Sequence, residues 1–271
     1  MNVGDDKEEV KGVVNYDSRV QWPANPDYGS GVFRRRVQVC SAVSKVTVEL
    51  EDCNHGFRVC LYHKAGKVTQ IAADTIRYPH NTCPEAVKQL RQFIGLPINT
   101  ESGSLRMRLE PALHCTHLYD MAMLALAYAV CPGTTRVYDI AVTDEVEGQC
   151  WLSIHSDDRM VYQWCIEGNT VTSPECYKGQ PMMRGFYDWA SQRFSGSALE
   201  AAILMQRGFF VSHTRRYDFK NAYGGAAVKD GLPHGSCYSY NHGVVERAYR
   251  IEGSVRDFTH SAELLLQFVD N

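Results

Sequence analysis

The sequence predicts a mixed α+β protein of two similar halves, each a four-stranded meander followed by two helices. Three observations predict it. From Phe33 onward, short β-branched runs alternate apolar and polar residues between glycine or acidic turns. Apolar residues then shift to helical spacing around Leu90 and Leu124. The same order of strands and helices returns after Arg136, which suggests a tandem duplication.

The elements follow in order. Residues 1–32 are polar and acidic, and with Trp22-Pro23-Ala24-Asn25-Pro26 they read as a mobile N-terminal arm. Strands are expected at 37–40, 46–50, 57–62 and 68–72. Tyr78-Pro79-His80-Asn81-Thr82-Cys83-Pro84 ends this meander, and 85–94 reads as a helix stopped by Gly95. A second helix opens near His114-Cys115-Thr116-His117 and runs to about Val130, before Cys131-Pro132-Gly133. These segments define a Cys/His-bearing α+β domain over residues 33–134. An aromatic-rich α+β domain over 135–271 repeats the order, with strands at 138–142, 150–155, 160–166 and 170–171 and helices at 186–194 and 198–206. Further strand-like runs at 209–213, 235–240 and 247–251, then a helix at 262–268, are expected to extend the second sheet.

Composition narrows the function. A net charge of -3 gives no electrostatic footprint for nucleic acid. No apolar run approaches the roughly 18 residues of a membrane span. The acidic opening, Met1 to Glu9, lacks the basic and apolar regions of a secretory signal, so the expected location is the cytoplasm with the ten cysteines reduced. No C-x-x-C spacing occurs, nor any P-loop, Rossmann, nucleophile-elbow or zincin motif.

Chemistry concentrates in His55, Cys83, His114, Cys115 and His117. Cys83 and Cys115 fall at the starts of the two helices, where free N–H groups and the helix dipole favour a thiolate, as metal ligand or nucleophile. The plainer alternative is that they are buried packing residues. Cys115 and His117 are two apart, so both face inward only if the helix begins after Thr116. His117 and Asp120 have the spacing of an imidazole and its orienting carboxylate, with a solvated Asp120 as the alternative.

Cys83-Pro84, Leu90, Gly95-Leu96 and His114-Cys115-Thr116-His117-Leu118 resemble an uncharacterised bacterial family with a Cys-Thr-His-Leu signature. The wider pattern, over roughly Val46 to Val130, is similar to the iron–sulfur cluster scaffold fold. That resemblance implies metal ligation by Cys83, His114 and Cys115, with zinc or iron as the metal.

Arg77, just before the Cys83 loop, is a candidate carboxylate clamp or a structural ion-pair partner. Trp151, Trp164, Trp189, Tyr187, Tyr217, Tyr238 and Tyr240 either fill the core or line a pocket for an aromatic acid. Asp257 is a base or a local cap. The functional expectation is a bacterial catabolic enzyme for a small aromatic or hydrophobic carboxylic substrate. It would work as a lyase or hydrolase without an organic cofactor, with His55, His117, Asp120 and Arg77 catalytic. The alternative is a non-enzymatic metal or iron–sulfur carrier. A small-molecule partner and a homodimer are expected; nucleic acid and membrane are not.

Overall fold

The computed structural model describes residues 20–99 and 109–268. Eight strands form one antiparallel sheet: β1 (Val32–Ser41), β2 (Lys45–Asp52), β3 (Gly56–Lys64), β4 (Lys67–Arg77), β5 (Thr135–Thr143), β6 (Gln149–Ser156), β7 (Arg159–Glu167) and β8 (Thr170–Ser173). Their order is β4-β3-β2-β1-β5-β6-β7-β8, so β1 and β5 join the two meanders at the centre. The sheet is therefore continuous across residues 134 and 135, where two domains were expected to meet.

Alternation explains the strands. Phe33, Arg35, Val37, Val39 and Ser41 of β1 are buried, while their neighbours on the other face are only partly so. Register places Val37 beside Leu50 of β2 and Tyr138 of β5, which aligns the buried side chains of three strands. The opposite face carries polar pairs such as Arg36 with Asp139 and Arg58 with Glu49.

Among the described residues three α-helices complete the core: α1 (Thr116–Tyr128), α2 (Phe186–Arg193) and α3 (Gly196–Ser212). Helix α1 packs on β1, β2 and β3, and α3 packs on β5, β6, β7 and β1. Both are apolar around much of their circumference, as helices between sheet and chain must be. The helix expected at 85–94 is a 3-10 helix, Cys83–Phe93, burying Cys83, Ala86, Leu90 and Phe93. Its buried residues lie three and four positions apart, a spacing that signals a helix in the sequence without separating the α from the 3-10 form.

The two ends of the chain differ most from expectation. Residues 1–19 of the expected arm lie outside the described residues. From there the chain is docked: Trp22 Nε1 donates to Asp230 at 2.6 Å, and Asn25 Nδ2 donates to the Arg215 carbonyl at 2.8 Å. Residues 209–213 belong to the end of α3 and its following turn rather than to a strand. Thereafter the chain forms short 3-10 turns, including Ala262–Leu264 where a longer helix was expected. Instead of extending the second sheet, this segment returns across the first half. The Cys53 carbonyl accepts from the Arg256 N–H at 2.7 Å, and Glu51 Oε2 accepts from that of Leu266 at 2.6 Å. Its tyrosines resemble a strand pattern because they cover a surface, not because they pair in a ladder.

No helix among the described residues is long and apolar enough to cross a membrane.

Candidate active site

A cavity of about 200 Å³ lies between α1, the end of α3 and the returning C-terminal segment. It is lined by both polar groups and apolar side chains, among them Phe210, Val211, Phe219 and Leu232. Two clusters of titratable residues form its polar walls.

The first cluster comes from the β2–β3 turn and the start of α1. Asp52 ends β2 and is fully buried. Its Oδ1 accepts the backbone N–H groups of Asn54 and His55 at 2.8 and 2.9 Å, which folds the turn and brings the His55 ring back. His55 Nδ1 then lies 3.1 Å from the same oxygen. On the other side, Arg35 donates to Asp52 Oδ2 from Nε at 2.9 Å and from Nη2 at 2.5 Å. The same Nη2 lies 3.0 Å from His117 Nε2, and the two imidazole centroids are 3.9 Å apart.

These partners fix the protonation pattern. Burial opposes charge on Asp52, but Arg35, His55 and His117 outweigh it and hold the carboxyl well below its usual range. Burial lowers the pKa of both imidazoles; for His117 the charges of His55 and Arg35 add to the effect and hold it well below normal. Both rings are therefore neutral at pH 7. His55 donates through Nδ1 to Asp52 and keeps an Nε2 lone pair. His117 accepts through Nε2 from Arg35, because a guanidinium only donates, and so carries its proton on Nδ1. Neither His55 Nε2 nor His117 Nδ1 has a hydrogen-bond partner among the described residues. One ring offers a base and the other a donor.

The second cluster joins the loop after β4 to the C-terminal segment. His80 Nε2 is 3.0 Å from Asp230 Oδ2, and Cys83, three residues on, lines the same cavity. Asp230 is further held by Arg250 Nη2 at 2.9 Å and by the Tyr240 hydroxyl. Cys115 and Cys237 also line the cavity. Burial first, and the neighbouring Cys83 second, push the Cys115 thiol up to about 12. Burial likewise raises Cys237, followed by the charges of Cys115 and Cys83.

The expected site residues separate accordingly. His55, Cys83, Cys115, His117 and Asp120 all line the cavity. Cys115 and His117 share it because α1 begins at Thr116 and Cys115 is still extended, at φ -65° and ψ 124°. Asp120 does not orient His117; it accepts from Arg207 Nε at 2.7 Å. Arg77 is buried outside the cavity. Its donors are taken by the Ser254 carbonyl, Glu51 and the carbonyls of Asp52 and His55, so it braces the turn rather than clamping an anion. His114 also lies outside, between Phe93 and Tyr119 at centroid distances of 6.1 and 5.2 Å. A metal centre built from Cys83, His114 and Cys115 does not fit this arrangement.

Asp52, His55 and His117 bring one ligand-type atom each within 4.8 Å of one another, a spacing that suits a divalent ion. Their hydrogen bonds do not suit one. Both Asp52 oxygens are engaged by two or more donors, and Arg35 sets a permanent positive charge beside His117 Nε2.

Of the expected aromatic pocket, Trp164 and Trp189 instead pack edge-on with Tyr177 and Phe194 within the core, whereas Tyr217 and Tyr240 reach the cavity. Asp257 caps locally, accepting the Thr259 N–H at 2.9 Å. Sequence reasoning missed Arg35, Asp52, His80, Asp230 and Cys237. The spacings Asp52-x-x-His55 and His80-x-x-Cys83 were local signals for two of the pairs; Asp230 lies 150 residues from its partner and had none.

No curated protein and no solved structure matches the chain. Residues 35–130, about a third of the chain and including Arg35, Asp52, His55, His80, Cys83 and His117, match the model of a family described as Protein of unknown function (DUF2889).

Proposed function

We propose that the cavity is the active site of an enzyme that binds a small aromatic or hydrophobic carboxylic substrate and acts on it by proton transfer, as a lyase or hydrolase. The observation that carries this reading is the His55–His117 pair, neutral, in contact, and held in complementary roles by Asp52 and Arg35. His55 Nε2 takes a proton from the substrate or from water, and Asp52 stabilises the imidazolium that results. His117 Nδ1–H donates to the oxygen on which charge develops, and a neutral donor keeps its proton until that charge appears. Arg207 supplies the anion clamp expected of Arg77: it lines the cavity, and with Nε on Asp120 its two terminal nitrogens remain for a carboxylate. At roughly 10–15 Å³ per water-sized group, the space suits a ligand of about 13 to 20 non-hydrogen atoms.

On the same reading, the near-mirror strand order reflects a tandem duplication. The alternative of a metal or iron–sulfur carrier has one observation in its favour, the three thiols of Cys83, Cys115 and Cys237 along one cavity. Stoichiometric iron with labile sulfide in anaerobically purified protein would replace the enzymatic reading.

Long-range ¹H–¹⁵N NMR of histidine-labelled protein tests the proposal directly. The expected result near neutral pH is two neutral Nδ1–H tautomers for His55 and His117, both shifting when benzoate is titrated in. Charged rings, or rings indifferent to benzoate and to related aryl carboxylates, would overturn it.

A further inference from the structure

The acid–base pair leaves the opposite wall of the cavity unused. There Cys83 stands at the first position of its 3-10 helix, buried but opening on the cavity. The tight turn that bonds the Cys83 N–H to the His80 carbonyl at 2.9 Å sets the His80 imidazole and the thiol three residues later on the same cavity. The other edge of that imidazole meets Asp230 at 3.0 Å, and His80 and Asp230 are both buried. Asp230 is aimed in turn by Arg250 and Trp22. On the far side of the sulfur, Ser239 Oγ lies 3.6 Å from Cys83 Sγ. That hydroxyl already accepts from Thr82 at 2.9 Å, so its own proton is free to point at the sulfur.

We infer that Cys83, His80 and Asp230 are a nucleophile, its base and the carboxylate that orients the base, and that the substrate is a small acyl ester or thioester cleaved through a thioester on Cys83. The assignment rests on the reading of the cavity as an active site, and it selects hydrolysis over lysis. The Cys83 thiol gives its proton to His80, and the sulfur attacks the carbonyl carbon. The carbon–sulfur bond forms as the bond to the leaving alcohol or thiol breaks, and that group takes the proton from the imidazolium. Water then attacks the thioester carbonyl, again through an imidazole base, releasing the carboxylic acid and restoring the thiol. The balance is ester plus water to acid plus alcohol, with no oxidant and no second cofactor. Asp230 is a positioning residue, holding His80 in the tautomer that faces the sulfur. Ser239 steadies the sulfur's charge through one hydrogen bond. Cys115 and Cys237 share the cavity, but neither has an imidazole partner among the described residues and neither is assigned as the nucleophile.

The test uses the full chain and 4-nitrophenyl acetate, with peptide mass spectrometry to locate the acetyl group. The expected result is a burst of nitrophenolate of about one equivalent, with the acetyl on Cys83 and little on the exposed Cys131 and Cys176. His80→Gln is expected to slow acetylation of Cys83 by roughly 100-fold or more while Cys131 and Cys176 keep their rates, a pattern that unfolding cannot produce. Iodoacetamide, which displaces iodide at the same sulfur, gives an independent measure of the selectivity. A wild-type Cys83 that reacts no faster than Cys131 and Cys176 would overturn the triad, whatever the variants do. The two readings fail separately. An inert Cys83 beside neutral, benzoate-responsive imidazoles removes only the triad, and an acetylated Cys83 beside unresponsive imidazoles removes only the acid–base pair.

Discussion

Asp230→Asn measures how strongly the C-terminal segment is tied to the first half. The carboxylate is only 4% exposed and accepts from His80 Nε2, Arg250 Nε and Nη2, Trp22 Nε1 and the Tyr240 hydroxyl. Burial opposes its charge, yet the His80 hydrogen bond and the Arg250 charge hold it at about 2, against an ordinary 3.8. A depression of that size corresponds to about 2 kcal/mol of stability. Removing one partner from a buried ion pair costs about 3–5 kcal/mol, because the charge left behind stays desolvated. The pH dependence has a definite sign. The folded pKa of Asp230 is depressed, so its contribution is complete above about pH 4 and is lost as pH falls through about 2. His80 behaves oppositely: burial lowers its pKa, but Asp230 and Cys83 more than reverse this and leave it raised above 6.5. Its contribution is complete below about pH 6.5 and is lost as pH rises through the folded value. The pair therefore stabilises most between about pH 4 and about pH 6.5. Urea unfolding followed by tryptophan fluorescence should show the largest gap between wild type and Asp230→Asn near about pH 5.5, with smaller gaps near about pH 3 and about pH 8. A gap below about 1 kcal/mol near pH 5.5, or one that does not change with pH, would refute the reasoning.

Two further substitutions probe the packing and the anion clamp. In Gly208→Ala, the added Cβ would fall 2.6 Å from Ile140 Cγ2 and 3.8 Å from a Phe33 ring carbon. A β-branched side chain in a central strand has little room to yield, so a loss of about 1–3 kcal/mol is expected in thermal unfolding, and an unchanged Tm would mean that α3 does not press on β5. Arg207→Gln should weaken benzoate binding by roughly tenfold or more in calorimetry, since a hydrogen bond to a charged group contributes about 1.5–3 kcal/mol. Unaltered affinity would move the clamp to another residue.

Much of the sheet was legible because its rule is local. Alternation at 37–40, 46–50, 57–62 and 138–142 located strands whose observed bounds extend those runs by a few residues at either end. The C-terminal segment was illegible for the complementary reason. Tyr240 is buried against the cavity and Tyr238 against the helix of residues 83–93, where its hydroxyl donates to Glu85, and a short apolar run looks the same whether it pairs or merely covers. The site divides along the same line. His55, Cys83, Cys115 and His117 stood out as residue types, but their roles depend on partners that arrive through the fold. Arg35 reaches Asp52 across neighbouring strands and His117 across 82 residues of sequence. Arg77 was placed at the site by its nearness to Cys83 along the chain, while the β4 register turns it toward Glu51 and the Asp52 carbonyl.

The Arg35–Asp52 pair is the feature that stability explains least. Both side chains are almost fully buried, and a well-packed apolar pair of similar volume would commonly be as stable or more so. What the ion pair supplies is orientation. One guanidinium holds the carboxylate that directs His55 and also donates to the ring of His117, so both tautomers depend on the same side chain. Lys in its place would keep a positive charge but not the planar fork that meets two acceptors at once. The two imidazoles would then remain in contact with neither fixed as base or donor. On this argument the buried charge is retained for the protonation pattern it imposes, and the core around Phe33, Val37 and Leu118 provides the stability that makes it tolerable.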